Sequence, residues 1–95
     1  TAWQILSRYC YAFIKCDDGL TIKGMKRYAR PVAKDPAIVS GESAAVTLGV
    51  LESILTDNQL VNIKDQLKLD ENSTVLLIST EGDTDPNNYR KVLAS

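Results

Sequence analysis

Val75, Leu76, Leu77 and Ile78 stand together without a polar break, and turn-forming residues bound them on both sides. A short run of β-branched residues and leucine reads as a strand buried on both faces, as in the parallel sheet of an α/β protein. It constrains the chain more than any other stretch, because the backbone groups of such a strand need partners along both edges. After Ile78 the sequence turns abruptly polar, through Ser79, Thr80, Glu81, Gly82 and Asp83 to Asp85. Ligands of open α/β sheets sit at the carboxyl ends of strands, so these residues are the first candidates for chemistry.

The remainder reads mostly as helix. Trp3, Leu6, Cys10, Phe13 and Ile14 recur at helical spacing, and Ile5, Tyr9 and Ala12 make a second stripe. This predicts a helix over residues 2–15, apolar enough to be covered on more than one side. Asp17 and Asp18 offer an N-cap for a second helix over about 20–29, with Leu20, Ile22, Met25 and Tyr28 toward the core. Arg30-Pro31 ends it, since proline disfavours a helical residue before it. Residues 37–39 are a candidate three-residue strand. A third helix over 44–55 is apolar nearly all round and starts with small residues, which permit close approach of another backbone or a flat ligand. Thr56 followed by Gln59 matches a capping box for a fourth, amphipathic helix carrying Leu60, Ile63 and Leu67. Asp85 as N-cap and Pro86 at the first helical position predict a fifth, short helix through Tyr89, Val92 and Leu93. The expected fold class is therefore α/β, with one strong buried strand at about 74–79 and about five helices.

That inventory is incomplete for a free-standing α/β domain. One strong strand has no neighbour to pair with, and two apolar helices ask for more cover than 95 residues offer. A chain of this length hides only about 60–65% of its unfolded surface. The chain also opens at Thr1, without an initiator methionine. The expectation is a single contiguous piece, residues 1–95, of a larger α/β domain whose remainder supplies most of the sheet.

Composition removes several function classes. A net charge of −1 gives no general attraction to nucleic acid or anionic membrane. The basic run Lys23, Lys26, Arg27, Arg30 and Lys34 interleaves one aromatic, Tyr28, and reads as a solvated helix face rather than a nucleic-acid patch. No apolar run nears the roughly 20 residues that cross a bilayer, and no leader precedes the first helix, which sets cytoplasm as the expected location. Cys10 and Cys16 are the two cysteines; six residues apart they fit no zinc pattern and read as reduced thiols. The chain has no histidine, which removes the commonest general base and imidazole-based metal sites.

Two motifs carry a family resemblance: Ile38-Val39-Ser40-Gly41-Glu42-Ser43-Ala44-Ala45-Val46-Thr47-Leu48-Gly49, and Ile78-Ser79-Thr80-Glu81-Gly82-Asp83-Thr84-Asp85-Pro86. Together they resemble the C-terminal part of the diaminopropionate ammonia-lyases, pyridoxal-phosphate enzymes of the tryptophan synthase β-subunit fold type (fold type II, a three-layer α/β domain). The opening Ala2-Trp3-Gln4-Ile5-Leu6 and the segment Lys23-Gly24-Met25 fit as well, so the likeness covers nearly the whole chain. It implies α,β-elimination of 2,3-diaminopropionate to pyruvate and ammonia by a homodimeric enzyme. It also implies a serine or threonine hydroxyl facing the cofactor's ring nitrogen, which falls on Ser79 or, alternatively, Thr80. Glu42, next to Gly41, matches a glutamate that related enzymes place near the ring; read without the resemblance, it is a carboxylate favoured by the first turn of a helix. Asp83 and Asp85 read as turn and cap residues. The family pattern has glycine where this chain has Ala44, whose methyl would crowd a ring. The family's cofactor-binding lysine, glycine-rich phosphate cradle and substrate-carboxylate loop have no counterpart in these 95 residues, so the piece alone is expected neither to hold the cofactor stably nor to turn over substrate. Two other readings stay open: the tail of a related serine or threonine dehydratase, and a non-catalytic interaction module.

Overall fold

Among the described residues, five α-helices account for the regular structure, in the order α1 (Ala2–Tyr9), α2 (Asp18–Ala29), α3 (Glu42–Thr56), α4 (Val61–Gln66) and α5 (Pro86–Ala94), with a 3-10 turn at Asn58–Leu60. The structure is a computed structural model; it describes every residue except Ala33, Glu81, Asp83, Thr84 and Ser95. The centre is the α2–α3 pair. Met25, Ala44, Ala45 and Ile54 form the buried apolar core. Gly24 and Gly49 let the two backbones touch: a Cβ at Gly24 would overlap the Ala45 carbonyl, and one at Gly49 would overlap the Leu20 carbonyl. The small residues read at the start of the third helix thus serve helix packing, at least at Ala44 and Ala45.

Local signals hold at several helix ends. The Asp17 side chain accepts from the Gly19 N–H at 3.0 Å and starts α2. Asp85 accepts from the Asn88 N–H at 3.2 Å ahead of Pro86, the first residue of α5. The end of α3 differs from expectation. Thr56 is its last residue, and its hydroxyl donates back to the Glu52 carbonyl at 2.7 Å. Asp57 does the capping instead, accepting from the Gln59 N–H at 2.9 Å. The carboxylate is the stronger acceptor, and a hydroxyl four residues past a carbonyl bonds back to it readily.

The first helix is shorter than its apolar stripe predicts. It ends at Tyr9, and Cys10 is already extended at φ −70°, ψ 132°. None of its residues is buried. Aromatic and β-branched residues gain little from a helix unless a neighbour buries them, and residues 11–15 are all exposed. Trp3 and Phe13 meet each other instead, with ring centroids 6.0 Å apart.

The α/β expectation is overturned. There is no strand among the described residues: residues 74–79 and 37–39 both lack a ladder. Leu76 is 84% exposed and Ile78 66%, so the run is not buried on both faces. The reason is pairing. An extended segment becomes a strand only beside another, and the one other short candidate is turned to a different use: Ile38 donates its N–H to the Tyr28 carbonyl near the end of α2, at 2.8 Å. The Cα radius of gyration, 14.4 Å, exceeds the about 12 Å of a compact chain of this length.

Candidate functional site

Sequence reasoning singled out residues from two distant stretches, and the fold brings them to one place. Gly41 is the N-cap of α3, at φ −71°, ψ 172°, with no side-chain cap hydrogen bond. Its carbonyl accepts from the Ala45 N–H at 3.0 Å, the first bond of the helix. Ser40, one residue earlier, is fully buried. Its Oγ lies 3.2 Å from the Ser79 Oγ, at the end of the extended run. That contact joins residues 39 apart in sequence and links the two motifs directly. Ser79 and Thr80 are both exposed.

Glu42 is exposed in the first turn of α3, where the helix N-terminus favours a carboxylate. Its Oε1 accepts from the Asn88 Nδ2 at 2.6 Å, which ties α5 to the start of α3. A small cavity of about 220 Å³ adjoins it, lined by Asp18, Thr21, Ile22, Met25, Glu42 and Val92. Ala44 is buried at 6% exposure. Asp85 is a cap, as read from sequence; Asp83 lies outside the described residues.

A second concavity of about 610 Å³ lies between α2, α3 and the loop joining them, lined largely by Tyr28, Pro31, Val32, Ile38, Leu48 and Leu55. It is larger but apolar, and includes none of Gly41, Glu42, Ser79 or Thr80. Convergent hydroxyls mark the first place as the candidate site; volume alone would have chosen the second. The basic run is partly internal: Lys23 Nζ donates to Ser53 Oγ at 3.2 Å, and Arg27 forms a two-pronged pair with Glu52 at 2.9 and 3.1 Å. That hydrogen-bonded pairing with Arg27 holds the Glu52 carboxyl below its ordinary value and raises Arg27. Among the described residues no group of histidine, cysteine, aspartate and glutamate could hold a metal. Cys10 and Cys16 are both free and exposed.

What the site offers chemically is a pair of neutral hydroxyls beside an open face, with a carboxylate a few residues away. Such a pair can donate or accept a hydrogen bond without adding a charge. Ser40 was missed as a site residue. Its one signal was its place just before the Gly41 cap, and the partner that gives it meaning is remote in sequence.

No family model matches the chain. Its sequence is 43% identical over 91 residues to diaminopropionate ammonia-lyase of Escherichia coli K12, covering 96% of this chain. It is 38% identical over 93 residues to the Salmonella typhimurium enzyme of the same name. The chain spans only 23% of the length of these relatives. The fold agrees with the Escherichia coli enzyme in apo form at a TM-score of 0.87, with 44% identity, over 96% of this chain and 26% of that one. A crystal structure of the same enzyme in complex with an aminoacrylate-PLP azomethine reaction intermediate superposes equally well, at 0.87 over 96% of this chain and 24% of that one. Another holds D-serine. The likeness read from the two motifs thus extends along nearly the whole chain.

Proposed function

We propose that this chain, 96% of which aligns with about a quarter of diaminopropionate ammonia-lyase, is one segment of a larger enzyme of that kind. The whole protein would eliminate ammonia from 2,3-diaminopropionate, and hydrolysis of the product by water would give pyruvate and a second ammonia. The observation that carries the reading is the 43% identity across 91 residues, both site motifs included. Residues 1–95 form a single piece of the catalytic domain in this reading, and the full-length enzyme is a cytoplasmic homodimer.

The residues present fit one end of pyridoxal 5'-phosphate. The fit rests on the Ser79 hydroxyl, which is exposed on one side and held by a buried hydroxyl on the other. The cofactor, when bound, supplies the electron sink that the elimination requires. Ser79 would hold the ring nitrogen by a single neutral hydrogen bond, with Thr80 the alternative. Glu42, held by Asn88, would stand beside the ring, with Gly41 as the helix cap next to it. The segment contributes binding and orientation. No lysine in it occupies a cofactor-binding motif, so the isolated piece is inactive.

The test is a pyruvate and ammonia assay on the full-length protein carrying this segment, loaded with pyridoxal phosphate, with 2,3-diaminopropionate and D-serine as separate substrates. Turnover of diaminopropionate is expected. A preference for serine would assign the protein to the dehydratase reading, a comparison prompted by the D-serine complex of the Escherichia coli enzyme. No turnover of either would overturn the lyase reading. Ser79→Ala is expected to lower cofactor affinity more than Thr80→Val; the reverse order would transfer the ring contact to Thr80.

A further inference from the structure

We infer that Ser40 is a positioning residue whose buried hydroxyl donates to Ser79 and thereby leaves the Ser79 proton free to point outward, toward an unprotonated ring nitrogen. The inference rests on the pyridoxal-phosphate reading above.

An exposed serine hydroxyl turns among three staggered positions and spends its proton on water. Ser79 is exposed, but one side of its oxygen is occupied by Ser40 Oγ at 3.2 Å. Ser40 is a fixed anchor. It is fully buried, and it is joined directly to Gly41, the N-cap of the best-packed helix.

Ser40 has one proton and two acceptors in reach, the Ser79 Oγ at 3.2 Å and the Gly41 carbonyl at 3.3 Å. The Gly41 carbonyl already accepts from the Ala45 N–H at 3.0 Å. It therefore stays satisfied when the Ser40 proton turns away toward Ser79. With Ser40 donating inward to Ser79, the Ser79 oxygen is an acceptor on that side and its own proton faces the open side. The opposite polarity, with Ser79 donating to Ser40, would leave only lone pairs outward and would call for a protonated nitrogen. A buried neighbour thus sets the sign of the ring contact without adding a charge.

The experiment uses the full-length protein carrying this segment and pyridoxal phosphate as the probe. Dissociation constants are measured by fluorescence titration for the wild type, Ser40→Ala, Ser79→Ala and the double variant. Ser40→Ala is expected to weaken binding about three- to tenfold, the size of one hydrogen bond, and to add less than about twofold once Ser79 is alanine. Equal losses in both backgrounds would mean that Ser40 acts through packing alone, and would overturn the inference. A second reading needs no variant: the ring nitrogen of ¹⁵N-labelled cofactor bound to the wild type is expected to resonate in the unprotonated range, and a protonated shift would overturn the polarity argued here. Failure of the wild type to bind pyridoxal phosphate at all would sink the lyase reading and this inference with it. Cofactor binding with an additive cycle would sink this inference alone.

Discussion

Arg27 and Glu52 make the one salt bridge among the described residues for which the geometry is two-pronged, with the carboxylate only partly exposed. It connects α2 to α3 beside their glycine contact. Because the folded Glu52 carboxyl lies below its ordinary value of 4.5, its contribution is present above that value and fades as the pH falls through the lowered one. Melting temperature should therefore drop as the pH is taken below about 4.5, and Glu52→Gln should flatten that part of the profile. The change should be modest at neutral pH, since solvent screens a pair that is partly exposed. An unchanged acid profile in Glu52→Gln would show that other carboxylates carry the dependence. At this scale the sequence was legible wherever partners are close along the chain. Asp17 to Gly19 and Asp85 to Asn88 are two or three residues apart. Ser40 was not legible, because its partner lies 39 residues away.

Helices were legible in number and mostly in extent, and their faces less so. The 3.6-residue pattern located α2 and α3 to within about two residues at each end. The same pattern overextended α1 to residue 15, because periodicity records which residues could be buried together and not whether anything covers them. The joint between α2 and α3 is where an element-scale change should tell most. Gly24→Ala places a methyl against the Ala45 carbonyl and the Gly49 backbone, neither of which can turn aside. The expected loss is about 1–3 kcal/mol of stability, the usual size of overpacking, read as a lower denaturant midpoint. Trp3→Ala in α1 is the matching control: at 65% exposure it should move the midpoint by no more than about 0.5 kcal/mol. Comparable effects of the two would show that the α2–α3 contact does not dominate stability.

For the whole molecule, the controlling fact is how much apolar surface stays uncovered. Trp3, Tyr11, Phe13, Leu76 and Ile78 are each more than half exposed, and patches of that kind mark surfaces built to meet other surfaces. The 95-residue chain alone should bind a hydrophobic dye and self-associate in light scattering. A monodisperse protein with a sharp cooperative melt and no dye binding would instead favour a free-standing interaction module. No helix among the described residues is long and apolar enough to cross a membrane.

The sequence by itself determined the number of helices, the caps at Asp17 and Asp85, the absence of imidazole chemistry, and the two motifs whose likeness to the ammonia-lyases extends along nearly the whole chain. These rest on neighbours within a few residues, or on residue identity alone. Tertiary structure alone decided that Val75, Leu76, Leu77 and Ile78 form an extended run without a ladder, because pairing needs a second edge that no residue pattern can promise. It also decided that Ser40 meets Ser79. That contact depends on where α3 starts and where the extended run ends, two positions that only the packed chain brings within 3.2 Å.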